Sequence, residues 1–173
     1  YIVQRLLQPI HAWAMRVLSR LPCDGTYDQS RPIYRLQKYK PKRVTSFDLS
    51  SATDRWPVAF IYHVMSHIFG AKAGDWFVYG TLSANVFSVN PPLVKREKLL
   101  YFKTGQPLGY YGSWALLSFS HHILVWMGAR IESPWSTQPF KRYALLGDDI
   151  VIADKRVAKR YKHFFLMLRS SSF

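Results

Sequence analysis

Two four-residue apolar runs, Tyr143-Ala144-Leu145-Leu146 and Ile150-Val151-Ile152-Ala153, bracket Gly147-Asp148-Asp149. Short apolar runs joined by a glycine-containing turn have the composition of a tight β-hairpin. No other stretch of the chain fixes a local geometry so closely. The glycine admits a positive backbone dihedral at the tip and lets a substrate approach. The tip itself carries two carboxylates.

Those carboxylates stand out against a basic background. Lys and Arg total 24 against 10 Asp and Glu, a formal charge of +14 in 173 residues. Such a field attracts polyanions, and nucleic acid leads the partner classes, with a ribosome-associated or anionic-membrane protein left open. The length suits one domain of ordinary size, 49% hydrophobic and 16% aromatic content excludes intrinsic disorder, and the single cysteine, Cys23, excludes a disulfide framework. Five of the eight aspartates fall in two islands, Asp48 with Asp54 and, a hundred residues on, Asp148 and Asp149 with Asp154. Clustered carboxylates on a cationic chain need a local reason, most often a divalent cation.

Along the chain, Pro9 fits a helix first turn, and Ile10, Trp13, Ala14, Val17 and Leu21 then repeat at helical spacing until Pro22. The first 23 residues hold arginines and no acids, as transit peptides do, but they are poor in serine and read instead as a domain helix. A turn-rich loop from Pro22 to Gln29 leads to Arg31, Arg35, Lys38, Lys40, Lys42 and Arg43 with Tyr34 and Tyr39 between them. Interleaved cations and aromatics suit a phosphate backbone and stacked bases, and a solvated loop or strand edge fits each residue equally well. Val44 to Leu49 has strand composition, and Pro57 opens a helix whose apolar face is Val58, Ile61, Met65 and Ile68. His63 and His67 stand four apart on that helix, yet no third ligand accompanies them.

Gly105 to Gly112 forms a glycine-rich loop that must flex or approach something closely, and its spacing matches neither the dinucleotide fingerprint nor the Walker loop. Ser113 to Met127 reads as a mostly apolar helix in which His121 and His122 are hydrogen-bonded core or flank positions. The uncharged stretch from Thr104 to Ala129 is too broken by Gly and Pro to span a membrane. Asp154 is placed to cap a closing helix with Val157, Tyr161, Phe164 and Leu168 inward and lysines and arginines outward.

A strand ending in Asp48 and a hairpin tip at Asp148 can lie side by side in one antiparallel sheet. Two or three carboxylates at one edge would hold two Mg²⁺ or Mn²⁺ ions about 3.5 to 4 Å apart, the arrangement that serves phosphoryl transfer. Taken alone, Gly-Asp-Asp fits a structural turn equally well.

Three segments in order weigh against that simpler reading. Ser46-Phe47-Asp48-Leu49-Ser50-Ser51-Ala52-Thr53-Asp54-Arg55, then Gly105-Gln106-Pro107-Leu108-Gly109 with Ser113-Trp114-Ala115, then Leu146-Gly147-Asp148-Asp149-Ile150-Val151 resemble palm motifs A, B and C of viral RNA-directed RNA polymerases. The nearest likeness is to mitoviruses and to mitovirus-derived reading frames of plant mitochondrial genomes, and it runs from about Gln8 to about Tyr161. The resemblance implies an α+β fold, a palm-like antiparallel sheet with flanking helices, with 1–43 leading into a palm core at 44–154 and 155–173 forming a basic helix and divergent tail. It implies that Asp48, Asp148 and Asp149 hold catalytic metal, that Asp54 reads the ribose 2′-hydroxyl, and that Gly105 and Ser113 track template and incoming nucleotide. A 2′-hydroxyl reader needs a hydrogen-bonding side chain set back from the metals, which Asp54 supplies. RNA template and product, nucleoside triphosphates and a mitochondrial location are implied likewise.

The sequence departs from the family at Leu108, where Met is usual, and at Gly112, where a Ser is common. On this resemblance the chain starts after the basic finger motif that grips the triphosphate and stops before the motif carrying a proton-donating lysine. It is therefore expected to be a palm fragment truncated at both ends and inactive alone, the alternative being a non-catalytic RNA-binding remnant or genomic relic.

Overall fold

The computed structural model describes residues 2–83, 86–102, 104–107 and 109–170, without the side chains of 82, 83, 169 and 170. Helices and small antiparallel sheets mix in an α+β fold. The longest helix, α6 (Ser113–Glu132), is its axis. Thirteen of its 20 residues are buried, on all sides of the helix, which marks it as central rather than amphipathic. Helices α1 (Ile2–Arg20) and α7 (Lys155–Ser170) pack against it, and α4 (Val58–Phe69) and α5 (Ala71–Val78) add a further layer.

A three-stranded antiparallel sheet takes the order β1 (Thr45–Phe47), β5 (Asp149–Ile152), β4 (Tyr143–Leu146). Tyr143, Leu145, Ile150 and Ile152 turn one face into the main core, each at 2% exposure or less. Ala144 and Val151 lie on the other face, where Leu36 of α2 (Ser30–Lys38) covers Ala144 together with Ala153. A second sheet is one hairpin, β2 (Val86–Val89) with β3 (Lys98–Tyr101).

Several expectations hold closely. The β4–β5 hairpin closes through Gly147 and Asp148, with Gly147 at φ +59°. Asp154 Oδ1 accepts from the backbone N–H groups of Arg156 and Val157, capping α7, whose Val157 and Tyr161 are buried. Pro57 directly precedes α4, although Ile68 stays 40% exposed while Phe60 and Val64 join the buried face.

Two segments differ. The basic stretch expected as loop or strand edge is α2, because Asp28 Oδ1 accepts from the N–H groups of Ser30 and Arg31 and Pro32 preorganises the first turn. Its buried face is only Pro32 and Leu36, too narrow a stripe to read through the surrounding charge. Helix α1 starts before Pro9 rather than at it. Leu7, Ala14 and Leu18 form one stripe, and its packing on α6 outweighs the roughly 3 kcal/mol cost of an interior proline. The elements α5, β2 and β3, and a short π-helical turn at Tyr79–Ser83, went unforeseen. Among the described residues no helix is long and apolar enough to cross a membrane.

Candidate active site

The three aspartates stand at one end of the three-stranded sheet. Strand β1 runs antiparallel to β5 with Phe47 opposite Ile150, so Asp48, one residue on, leaves the sheet on the side of the Asp148–Asp149 tip. Asp48 and Asp149 are exposed and Asp148 is half-buried. Asp48 also lines a small pocket of about 50 Å³ with Arg55, Trp56 and Phe165. Carboxylate oxygens on a rigid strand end and turn suit a hard divalent cation in donor chemistry. Among the described residues, no three His, Cys, Asp or Glu side chains are gathered closely enough to form a ready metal cage.

The other site residues assemble through backbone contacts. Asp54 sits exposed on α3 (Ala52–Arg55), directly after β1, and Gly105 lies against its main chain. Gly105 N–H donates to the Trp56 carbonyl at 3.1 Å and Gln106 N–H to that of Thr53 at 2.8 Å. A Cβ at Gly105, φ +72°, would fall 2.3 Å from the Asp54 carbonyl oxygen, so only glycine permits this approach. The glycine-rich loop is thus latched to the turn that carries Asp54. Gln4 of α1 grips its far end, donating to the Gly109 carbonyl and accepting from Tyr111 N–H.

Gly112 precedes α6 at φ +87°, a conformation in which serine would be strained, which gives a physical reason for glycine at this departure from the family. Leu108, the other departure, lies outside the described residues. Ser113, 4% exposed, begins α6, and Trp114 beside it rests on the hairpin glycine. A Cβ at Gly147 would come within 2.1 Å of the Trp114 ring.

Beneath the tip lies a buried polar network that sequence reasoning did not assemble. His121 Nδ1 meets the Gly147 carbonyl at 2.8 Å and its Nε2 meets Tyr161 Oη at 2.7 Å. A carbonyl only accepts, so Nδ1 carries the proton and Tyr161 donates to Nε2. His122 is the mirror case: Nε2 donates to Asp24 Oδ2 at 2.9 Å, and Nδ1 accepts from Tyr143 Oη at 2.7 Å. Burial drives the His121 pKa down to about 3, with the Gly147 hydrogen bond opposing it. Burial also lowers His122, against the pull of Asp24. Both rings are therefore neutral, and the short His122–Asp24 contact is a neutral imidazole on a carboxylate rather than an ion pair.

Burial raises the Asp24 carboxyl, but hydrogen bonds from His122 and from Thr26 N–H outweigh it, and the net shift is downward. Ser118 adds a further donor at 3.1 Å. In the sequence Asp24 reads as part of a turn-rich loop, with no role assigned to its carboxylate. Ser118 and His122 stand 94 and 98 positions away from it in sequence, and no local pattern points to them. The adjacent histidines point to opposite duties because neighbours on a helix sit on different faces. His63 and His67 are both exposed on α4 and belong to no metal cluster among the described residues.

Comparison with known proteins places these features in a family. A family model described as mitovirus RNA-dependent RNA polymerase matches residues 1–169. The match runs past Tyr161 and takes in most of a tail that the sequence had set apart. An uncharacterized mitochondrial protein of Arabidopsis thaliana is 51% identical over 86% of this chain and 59% of its own length. A second one is 45% identical over 83% of this chain and 69% of its own. The RNA-directed RNA polymerase of Cryphonectria parasitica mitovirus 1 is 33% identical over 92% of this chain, which spans 19% of that protein. No solved structure matches the chain.

Proposed function

The chain belongs to the mitovirus RNA-dependent RNA polymerase family, and we propose that it is the palm portion of such an enzyme, organised for two-metal phosphoryl transfer on an RNA template. One observation carries this reading: the β1–β5 register brings Asp48 to the same sheet end as Asp148 and Asp149. Asp48 and Asp148, with Asp149 beside them, would hold Mg²⁺ or Mn²⁺. Such ions, when bound, activate the attacking 3′-hydroxyl and neutralise charge on the leaving pyrophosphate.

The chain's own residues position and exclude. Asp54 offers a carboxylate to a ribose 2′-hydroxyl, and the Gly105 loop, latched to its backbone, shares its position. Trp114 and His121 hold the hairpin tip from two sides, so the Asp148 carboxylate stands on a fixed turn. Positioning and charge stabilisation dominate phosphoryl transfer, and these fixed groups are what the chain contributes to it. The setting is mitochondrial, as it is for the two plant relatives, which are named mitochondrial proteins.

Thermal unfolding with millimolar Mg²⁺ or Mn²⁺ tests the site. The midpoint rises by mass action and Asp148→Ala abolishes the rise. An unchanged midpoint in the folded chain overturns the two-metal reading. Its charge of +14 and the exposed cations of α2 favour the second reading, a non-catalytic RNA binder. Grafting residues 43–154 into a complete mitoviral polymerase separates the two: activity that Asp148→Ala removes supports the first, and a folded, inactive chimera supports the second.

A further inference from the structure

A wide concavity lies away from the carboxylate edge, at the other end of α6. It is a groove of about 1140 Å³ between the C-terminal end of α6, the segment from Ser133 to Arg142 and the start of α7. From Ser113 to Arg130 the helix rises about 25 Å, so the groove is separate from the loop and tip that Ser113 and Trp114 adjoin. Its volume exceeds the roughly 300 to 1,000 Å³ of small-molecule sites and suits a short stretch of polymer.

The lining has a specific chemistry. Arg130, Lys141, Arg142 and Arg156 contribute four cations, against Glu132 and Asp154. Both acids are already matched, Glu132 by Arg160 at 2.9 Å and Asp154 by Arg142 at 3.7 Å. Among the described residues neither Lys141 nor Arg156 has a carboxylate partner. Tyr39, Trp126 and Phe140 supply aromatic walls, and Ser136, Thr137 and Gln138 supply hydroxyl and amide groups. Tyr39 ends α2 between Lys38 and Lys40, both exposed, which carries positive charge outward from the rim. Unmatched cations alternating with aromatic faces fit a phosphodiester backbone with its bases stacked inward.

We propose that this groove binds single-stranded RNA and forms a second RNA site, distinct from the carboxylate edge. The proposal deepens the RNA-binding part of the reading above and does not depend on the metal site. Phosphates lie along Lys141, Arg156 and Arg130, one or two bases stack on Tyr39 and Trp126, and the polar segment from Ser136 to Gln138 meets the ribose hydroxyls.

The test uses the full 173-residue chain and a fluorescein-labelled oligouridylate of about 12 nucleotides, within the site sizes of single-strand binders, titrated with EDTA present. The pair Lys141→Glu and Arg156→Glu raises Kd at least tenfold with the circular dichroism spectrum unchanged, and Lys141→Arg with Arg156→Lys keeps Kd within threefold. Reversing Lys95 and Lys98, outside the groove, gives the same change in net charge and raises Kd less than threefold. A 4-thiouridine probe crosslinks to Tyr39 or Trp126, and the matching deoxyuridine oligomer binds several-fold more weakly. Equal losses from both charge reversals, or crosslinks confined to other residues, overturn the groove. A concentration-dependent dimer that the Lys141/Arg156 reversal dissolves, without RNA binding, assigns the surface to a second copy and likewise overturns it. EDTA keeps cations out of this titration, whereas the metal reading is tested by the thermal midpoint, so failure of the metal reading and failure of this one are seen in different experiments.

Discussion

The two β-hairpins share a topology and little else. In β4–β5 two residues close the turn, the apolar side chains enter the core, and the tip is held by His121 and Trp114. In β2–β3 a long connection joins strands whose Leu99, Leu100 and Tyr101 are 58%, 49% and 58% exposed. Backbone pairing alone does not commit a hairpin to one position; a buried face and polar ties do. The hairpin bearing the carboxylates has both. Neighbouring carboxylates repel one another, and a turn fixed from beneath resists that repulsion.

Acid should break this contrast most strongly. A histidine with a depressed folded pKa stays neutral in the fold and gains its proton only on unfolding. Its contribution is complete above about pH 6.5 and is lost as pH falls toward the folded value, about 3 for His121. Each such histidine gives a slope near 1.4 kcal/mol per pH unit in that window. Denaturant unfolding should lose about 2 kcal/mol between pH 7 and pH 5 from His121 alone, and His122, lowered by burial as well, adds to the loss in the same direction. Asp24, with its lowered pKa, adds a loss only below about pH 4. A flat stability curve between pH 7 and 5 would show that these rings do not carry the hairpin's support.

Gly147→Val comes next. A β-branched side chain at φ +59° meets the Trp114 ring, and backbone strain and overpacking together should cost about 2 to 5 kcal/mol. Calorimetry reads this directly, and a midpoint within 2 °C of the wild type would refute the contact. His121→Leu removes the bond to the Gly147 carbonyl and strands the Tyr161 hydroxyl, at about 1 to 3 kcal/mol. Native-state hydrogen exchange should then quicken in β4–β5 while β2–β3 keeps its rate. Uniform quickening would mean that His121 supports the whole core rather than the tip. Smallest of all, Leu100→Thr in β2–β3 should change stability by no more than about 0.5 kcal/mol. A larger loss would show that the open hairpin has a partner surface.

The same contrast explains what could be read in advance. The β4–β5 hairpin announced itself through contiguous apolar runs around a glycine, and Asp48 followed from a short strand one register position from the tip. Strands β2 and β3 lack both a tight turn and a buried face to impose alternation, so Val86 to Tyr101 carried no pattern. Helix α2 was hidden because its capping residue, Asp28, precedes Ser30 at a distance usual for turns, and only two of its residues are buried. The Asp24–His122 pair was invisible for another reason: it depends on tertiary closure across most of the chain. The metal cage is a different case, since donors at one edge can be read from strand order while their closing around an ion cannot.

Strand order also dictates when this molecule can first exist during synthesis. Strand β1 has one neighbour, β5, and Phe47 waits for Ile150; Asp24 likewise waits for His122, 98 positions later. Loop-closure entropy must be met before either contact returns any stability, so high contact order makes the sheet slow to form. A ribosome that has not yet released Ile152 leaves Thr45 to Phe47 as an unpaired edge, the kind of exposed backbone that recruits chaperones or other nascent chains. Any reading frame that stops before Ile152 would encode Asp48 without a strand to set it against.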